Sequence, residues 1–316
     1  MADFPDRPSI AIVGAGAVGG YYGARLAQSG LDVHFLMRSD YQHVREHGLV
    51  IKSINGDFEL SPAEIHIYDS TAKMPPVDLV IVTLKSTDND ALTRLIPPLL
   101  RDDTAILTLQ NGLGNEEFLA SLFSADRILG GMAFTCLNRL APGVIHHSDH
   151  GHIRLGEFAR RDQSRAATIV HLFNQARIDT QLLDDLLLGR WTKLTWNIPF
   201  NGLTTLLDVP TDRLIATDRG AQLVTRIIDE VAATAAANGI TLPPEIAQRQ
   251  IELTRSMGPY LTSTQLDRRH RRPMEIEAIF SRPLQAARIH HVATPHLEML
   301  EFLLRSLNNA SATERL

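Results

Sequence analysis

Apolar and polar positions along the chain fall into two regimes. Up to about residue 180, short apolar runs alternate with turn residues and amphipathic stretches, which predicts strands interleaved with helices. The runs lie at 10–13 (IAIV), 31–36 (LDVHFL), 48–60, 65–68, 77–84 (VDLVIVTL), 104–109 and 130–135. The pair Asn55-Gly56 predicts a type I′ hairpin between two of them. The uninterrupted run 77–84 suits the buried middle of a parallel sheet, and 88–100 predicts a helix stopped at Pro97-Pro98. With a hairpin over VIHHSDHGHIRLGE, the predicted sheet has about seven or eight strands. Beyond about residue 182 the strand signal gives way to helical spacing. Helices are predicted over 182–207, 218–238 with Gly239 after it, 246–256, from Pro273 through a kink at Pro283, and 296–307, and the polar tail 308–316 should fray. The pattern divides the chain into an α/β domain, 1–180, with a mainly parallel sheet, and an all-α domain, 181–316.

The first apolar run leads into Gly14-Ala15-Gly16-Ala17-Val18-Gly19, followed by Tyr22, Leu26 and Ala27 at helical spacing. A GxGxxG set between strand and helix is the dinucleotide-binding turn of a Rossmann fold. The first glycine permits the tight turn, the second lets the backbone approach a pyrophosphate, and the third lets helix and strand pack closely. The helix N terminus then offers N–H groups and a partial positive charge to the phosphates.

Polar residues follow the strands where such folds bind ligands. After the second strand stand Met37-Arg38-Ser39 rather than the acidic residue that takes the ribose hydroxyls of NAD. A guanidinium and a hydroxyl suit a 2′-phosphate, which favours NADP(H), while Asp40 keeps NAD open. Lys85 follows 77–84, and Gln110-Asn111-Gly112 follows 104–109, at what the pattern makes the same sheet edge. In the helical half, Lys193, Asn197 and Asn201 recur every four residues, so they project from one narrow face over about 12 Å. Their neighbours Leu194, Trp196, Ile198 and Phe200 are apolar, so the stripe should be partly buried and need partners, which a cleft shared with the first domain would provide. Pro199 within this run frees a carbonyl one turn earlier and predicts a kink. Ser263 and Glu275 flank the basic run Asp267-Arg268-Arg269-His270-Arg271-Arg272, which reads as a solvated loop in preference to an anion site, and Pro273 suits the first turn of the next helix, which places Glu275 near its N terminus.

Composition narrows the function. Basic residues number 31 against 36 acidic, which gives no reason to expect nucleic acid or an anionic membrane. The single Cys136 cannot form an internal disulfide, fits a reducing cytoplasm, and reads as a small buried apolar residue. The segment MADFPDRPS lacks the basic and apolar regions of a signal peptide, and no stretch is apolar enough to span a membrane. His146, His147, His150 and His152 are the densest histidines, yet they match no zinc spacing; they read as exposed imidazoles on a hairpin, and no metal site is predicted.

The motifs IVGAGAVGG, Arg38, VTLK with Lys85, QNG with Asn111, KLTWNIPFN with Lys193, Asn197 and Asn201, and TSTQLDRRHRRPMEIEAI with Ser263 and Glu275 occur in this order over nearly the whole chain. In this the sequence resembles the 2-dehydropantoate 2-reductase, or ketopantoate reductase, family. The resemblance implies a helical domain related to the C-terminal domain of 6-phosphogluconate dehydrogenase, and NADPH-dependent reduction of ketopantoate to pantoate on the route to pantothenate and coenzyme A. It implies Lys193 and Glu275 as catalytic, and Asn111, Asn197, Asn201 and Ser263 as substrate contacts. Gly14 to Gly19, Arg38, Lys85 and Asn111 would contact the cofactor, and a homodimer is implied. The family segment SSMxQDxxxGRxTEID is matched at Ser263, Asp267, Arg272 and Glu275, whereas Thr264, Leu266, Arg271 and Met274 replace Met, Gln, Gly and Thr. These departures leave a different small 2-keto acid or a bulkier ketone open as substrate. A sensor that binds NADPH without turnover is the remaining alternative, and it would need neither Lys193 nor Glu275.

Overall fold

A computed structural model describes residues 4–313, with the side chains of 311–313 left aside. The chain forms two compact units: residues 1–110 with 115–186, and residues 111–114 with 187–316. The sequence pattern divides the chain at 180/181. The packing instead keeps residues 181–186 with the sheet and groups the short segment 111–114 with the helices.

In the first unit, strands β1 (Ser9–Val13), β2 (Asp32–Leu36), β3 (Leu49–Ser53), β4 (Phe58–Leu60), β5 (His66–Tyr68), β6 (Val77–Val82), β7 (Leu100–Thr108), β8 (Ile128–Ala141), β9 (Val144–Glu157) and β10 (Thr180–Leu182) form one sheet. It has ten strands rather than seven or eight, because β3, β4 and β10 join it through β9. The order β5-β2-β1-β6-β7 is parallel throughout, the Rossmann arrangement. Alternation along β1 explains how the sheet is covered on both faces. Ile10 and Ile12 enter a core shared with Tyr21, Tyr22, Leu26 and Phe173, whereas Ala11 and Val13 enter one shared with Leu92, Ile96 and Leu119. The helices providing those residues are α1 (Ala17–Gln28), α3 (Leu92–Leu95), α4 (Asn115–Phe123) and α5 (Ser164–Gln175), while α2 (Tyr41–His47) adds Val44 to the first core.

Local chemistry modified several expectations. The β3–β4 connection is a four-residue loop in which Gly56 has positive φ and Asn55 does not, so it is not a type I′ turn. The predicted helix 88–100 is instead a 3-10 stretch, the single turn α3 and a second 3-10 turn at Pro97–Leu99; Pro97 and Pro98 lack the N–H donors that would extend α3. Of the hairpin histidines, His147 is fully buried; its ring meets Ser53 Oγ at 2.9 Å and the His150 carbonyl at 3.0 Å and packs on Tyr21. Cys136 is buried and forms no disulfide.

The second unit comprises α6 (Leu186–Leu207), α7 (Thr211–Leu214), α8 (Asp218–Ala237), α9 (Ile246–Met257), α10 (Ser263–Arg269), α11 (Arg282–Ile289) and α12 (Pro295–Thr313), with Leu186 itself on the sheet side of the division. Its core joins Trp191, Leu194, Ile198 and Phe200 of α6 to Ile227, Ile228 and Val231 of α8 and Leu297, Leu300 and Leu304 of α12. Helix α6 continues through Pro199. The tail does not fray at Asn308: α12 runs to Thr313, and Asn308 Oδ1 accepts from the Met274 N–H at 3.1 Å; residues 314–316 lie outside the described residues. No helix among the described residues is long and apolar enough to cross a membrane.

Candidate active site

The three glycines of the turn at the carboxyl end of β1 have different surroundings. Gly14 has φ +106°, and a Cβ there would meet the Leu84 nitrogen at 2.6 Å. At Gly19 a Cβ would collide with Thr83 Oγ1 and lie 2.6 Å from the Gly14 carbonyl, so this glycine serves the contact of α1 with the sheet. Gly16 differs: its φ is −78°, and a Cβ would meet nothing closer than 4.0 Å. The fold does not need glycine at 16, but a phosphate approaching the backbone does. The N–H of Ala15 is given to the Leu36 carbonyl and that of Gly16 to the Gly14 carbonyl. Ala17 and Val18, in the first turn of α1, have the N–H groups without intrahelical acceptors, and no side chain caps them.

Arg38 and Ser39 follow β2 and are exposed. Asp40 is buried and engaged: it accepts from Arg139 at 2.7 Å, from Ser39 Oγ at 2.8 Å and from the Gly143 N–H at 3.2 Å. Arg139, from the far end of β8, also donates to Ser39 Oγ at 2.8 Å. The carboxylate that kept NAD open is therefore neutralised by a guanidinium. Lys85 follows β6 half-buried. Arg139 carries no local signal; it lies 100 residues from Ser39 and arrives through the length of the β8–β9 hairpin.

In the helical unit, the polar stripe on α6 is largely removed from solvent. Asn197 and Asn201 are buried, and Lys193 is half-buried. Lys193 Nζ donates to Asn111 Oδ1 at 2.8 Å, and Glu275 is buried nearby. Burial pushes the Lys193 ammonium down to about 7; the Arg190 guanidinium adds to this fall, and the Glu275 carboxylate opposes it. Arg190, itself buried, stands one turn before Lys193, and sequence reasoning missed it. Its spacing of three places it on the lysine's face, the one available signal.

Asn111 reaches Lys193 because residues 111–114 pack on the segment after Glu275. The Leu113 N–H donates to the Ala278 carbonyl at 2.9 Å, and a Cβ at Gly112 would collide with that carbonyl. Residues Glu277–Ser281 wind as a π-helical turn running into α11. In that register the Ala278 carbonyl would be met by the N–H of residue 283, which is proline and has none, leaving it for Leu113.

The structure corrects the reading of the basic run. Residues 263–269 are helix α10, capped by Thr262, with Ser263 exposed in its first turn. Buried Asp267 accepts from Arg272 Nε at 3.0 Å, Arg268 binds the Thr205 carbonyl, and Arg269 binds Asp208 at 2.7 Å. The helix ends in a Schellman motif, with Arg272 N–H on the Asp267 carbonyl and Arg271 N–H on that of Arg268. Arg271 holds the left-handed position at φ +55°, where the related pattern has glycine. The next helix opens at Ile276, so Pro273 lies outside it and Glu275 immediately precedes it, its carbonyl accepting from the Ile279 N–H.

Comparison with known proteins accords with both halves of this arrangement. The model of "Ketopantoate reductase PanE/ApbA" matches residues 10–160, and that of its C-terminal domain matches residues 185–308. A 2-dehydropantoate 2-reductase of Nostoc is 43% identical over 311 residues, 97% of each chain. The crystal structure of a 2-dehydropantoate 2-reductase from Geobacter metallireducens superposes with a TM-score of 0.92 at 48% identity, over 94% of this chain and 99% of that one. A D-mandelate dehydrogenase bound to NADH and anilino(oxo)acetate superposes with a TM-score of 0.88 at 25% identity, over 96% of this chain and 99% of the other. By two family models that together span most of its length, and by a relative matched nearly end to end, this chain belongs to the ketopantoate reductase family.

Proposed function

We propose that this chain reduces 2-dehydropantoate to pantoate with NADPH, in the supply of pantothenate and coenzyme A. The observation that carries this reading is Lys193, whose Nζ is fixed at 2.8 Å from Asn111 Oδ1 and whose ammonium is pushed down by burial to about 7. When bound, NADPH supplies hydride to a carbonyl carbon. The oxygen of that carbonyl becomes an alkoxide, and the chain's own task is to stabilise and protonate it. A lysine near neutrality is matched to that task, since it is substantially charged at physiological pH and gives up its proton readily. Glu275 favours the charged form of the lysine, and Asn111 orients it without adding charge. Asn197, Asn201 and Ser263 are assigned to the substrate's carboxylate and hydroxyl, which neutral donors can hold. Gly16, the N–H groups of Ala17 and Val18, and Lys85 are assigned to the cofactor. Arg38 and Ser39 are assigned to the 2′-phosphate, a choice supported by the engagement of Asp40 with Arg139.

The likeness to a D-mandelate dehydrogenase favours one second reading, reduction of another 2-keto acid by the same lysine. Reduced nicotinamide consumption by the purified protein, with ketopantoate or aryl 2-keto acids and with NADPH or NADH, separates the two. A kcat/KM for ketopantoate with NADPH that exceeds the other combinations supports the first reading. Turnover confined to another acid supports the second, and NADPH binding without turnover on any acid would leave only a sensor. A homodimer through the helical unit belongs to the first reading; sedimentation velocity tests it, with a mass twice that of the chain expected.

A further inference from the structure

At the amino ends of β2 and β5, away from the glycine turn, a second constellation is assembled by strand register. Asp32 and His34 are two residues apart on β2 and share a face. His66 and Tyr68 are two apart on β5, and the parallel register sets His34 opposite His66. His34 Nε2 and His66 Nδ1 each lie 3.2 Å from Asp32 Oδ1, and the ligand-capable atoms of all three residues fall within 4.8 Å of one another. We propose that Asp32, His34 and His66 bind a divalent cation of the zinc class in a tetrahedral site whose fourth position is held by water.

The distances match the chemistry. Zinc bonds to nitrogen and carboxylate oxygen of about 2.0–2.2 Å give ligand–ligand edges of about 3.3–3.5 Å in a tetrahedron. Two of the three edges are already near that length. The third can close by rotation of His66, whose side chain is more than half exposed, with no movement of backbone. A separate observation concerns His34. Its side chain is only 6% exposed, yet its buried Nε2 makes no hydrogen bond of acceptable geometry. Asp32 Oδ1, 3.2 Å away, is close enough to share a bound cation with that nitrogen. The other nitrogen, Nδ1, meets Tyr68 Oη at 3.2 Å. A ring that donates from Nδ1 to Tyr68 has its lone pair on Nε2, the tautomer a metal requires, and such an outer contact fixes the ring's orientation. Two imidazoles and one carboxylate suit zinc better than calcium or magnesium, which take all-oxygen sets. The sequence reading found no metal site because it sought spacing within one segment, whereas these ligands come from two strands joined only by register.

Such an ion would clamp the edge strand β5, three residues long, onto β2. It would not touch the proposed cofactor residues, since Arg38 lies beyond the far end of β2, four residues past His34, roughly 13 Å away at the rise of an extended strand. The test is titration of the metal-stripped full chain with Zn²⁺ against a chromophoric chelator, with Co²⁺ as the spectroscopic probe. One equivalent of Zn²⁺ should bind, with an intense visible Co²⁺ band typical of tetrahedral coordination and a rise in Tm. Asp32→Asn and His66→Ala, both at exposed side chains, should weaken binding at least tenfold and abolish the rise in Tm, with kcat unchanged. His43→Ala is the control, because the tilted His43–His47 pair on α2 lies outside the Asp32–His34–His66 group; it should leave the Co²⁺ band intact. Zn²⁺ stoichiometry and affinity unchanged by Asp32→Asn and His66→Ala, or no Zn²⁺ bound by the unmodified chain, would overturn the assignment. Because binding and Tm are read without substrate, failure here leaves the proposed reduction untouched.

Discussion

Lys193 and Asn111 are 82 residues apart in sequence, yet Nζ of the first donates to Oδ1 of the second at 2.8 Å inside one compact unit. The contact depends on a neutral acceptor. Asn111→Asp would replace it with a carboxylate of nearly the same shape and so favour the charged lysine. The alkaline limb of the kcat profile should move upward by about one pH unit or more, with a lower plateau because a more basic lysine is a weaker acid. A limb that stays in place would remove Asn111 from the environment of the lysine.

The pH dependence of the unmodified chain follows from the same group. With Lys193 as the proposed proton donor, reduction needs the lysine protonated; its pKa is lowered to about 7, so the rate should be flat below that value and fall tenfold per unit above it. Glu275 is the group that raises this pKa, so Glu275→Gln should shift the limb to lower pH and depress kcat most strongly at neutral and alkaline pH. Lys193→Ala should cost about 10²–10⁴ in kcat while NADPH affinity, measured by fluorescence, is kept. Loss of NADPH binding in that variant would instead make the lysine a binding residue.

The parts of this site that were legible in sequence are those fixed by local rules. GxGxxG declares its turn through backbone freedom and steric room, and the Lys193–Asn197–Asn201 stripe declares its face through helix periodicity alone. What was not legible depends on contacts between distant segments. The charge of Arg190 matters only because it is buried beside Lys193, and Asn111 read as a sheet-edge residue until the Ala278 carbonyl drew residues 111–114 to the helices. The run 267–272 looked like a solvated basic loop, but Asp267, Asp208 and the Thr205 carbonyl absorb three of its arginines. Arg271 shows how a departure from the family pattern can preserve backbone: it takes the left-handed angle that glycine would take, at a cost of roughly 1 kcal/mol.

The two glycines of the turn should separate in experiment. Gly19→Ala forces a methyl against Thr83 Oγ1 and the Gly14 carbonyl, so it should destabilise the free protein by about 1–3 kcal/mol, read by urea unfolding. Gly16→Ala meets open space, and its stability in the absence of nucleotide should stay within about 0.5 kcal/mol of the parent. In the proposed cofactor site its methyl would stand where a phosphate approaches the backbone, so NADPH affinity should fall at least tenfold. Equal effects of the two substitutions on stability would contradict the separate roles drawn from their surroundings.

On the proposed reading, cofactor choice depends on two arginines, and they should fail differently. Arg38 is exposed beside the end of β2, and losing a charge-assisted contact to a phosphate costs about 1.5–3 kcal/mol, roughly ten- to a hundredfold in Kd. Arg38→Ala should therefore weaken NADPH by that factor and leave NADH nearly unchanged. Arg139 acts on the same region by holding Ser39 Oγ and the Asp40 carboxylate. Arg139→Ala would lose that hold and uncover a negative charge near the ribose, which repels a 2′-phosphate and can accept from the hydroxyls of NAD. Its signature should be a fall in NADPH affinity together with a gain in NADH affinity, where Arg38→Ala shows the fall alone. If Arg139→Ala weakens both nucleotides equally, Asp40 has no part in discrimination, and Arg38 alone must account for the preference.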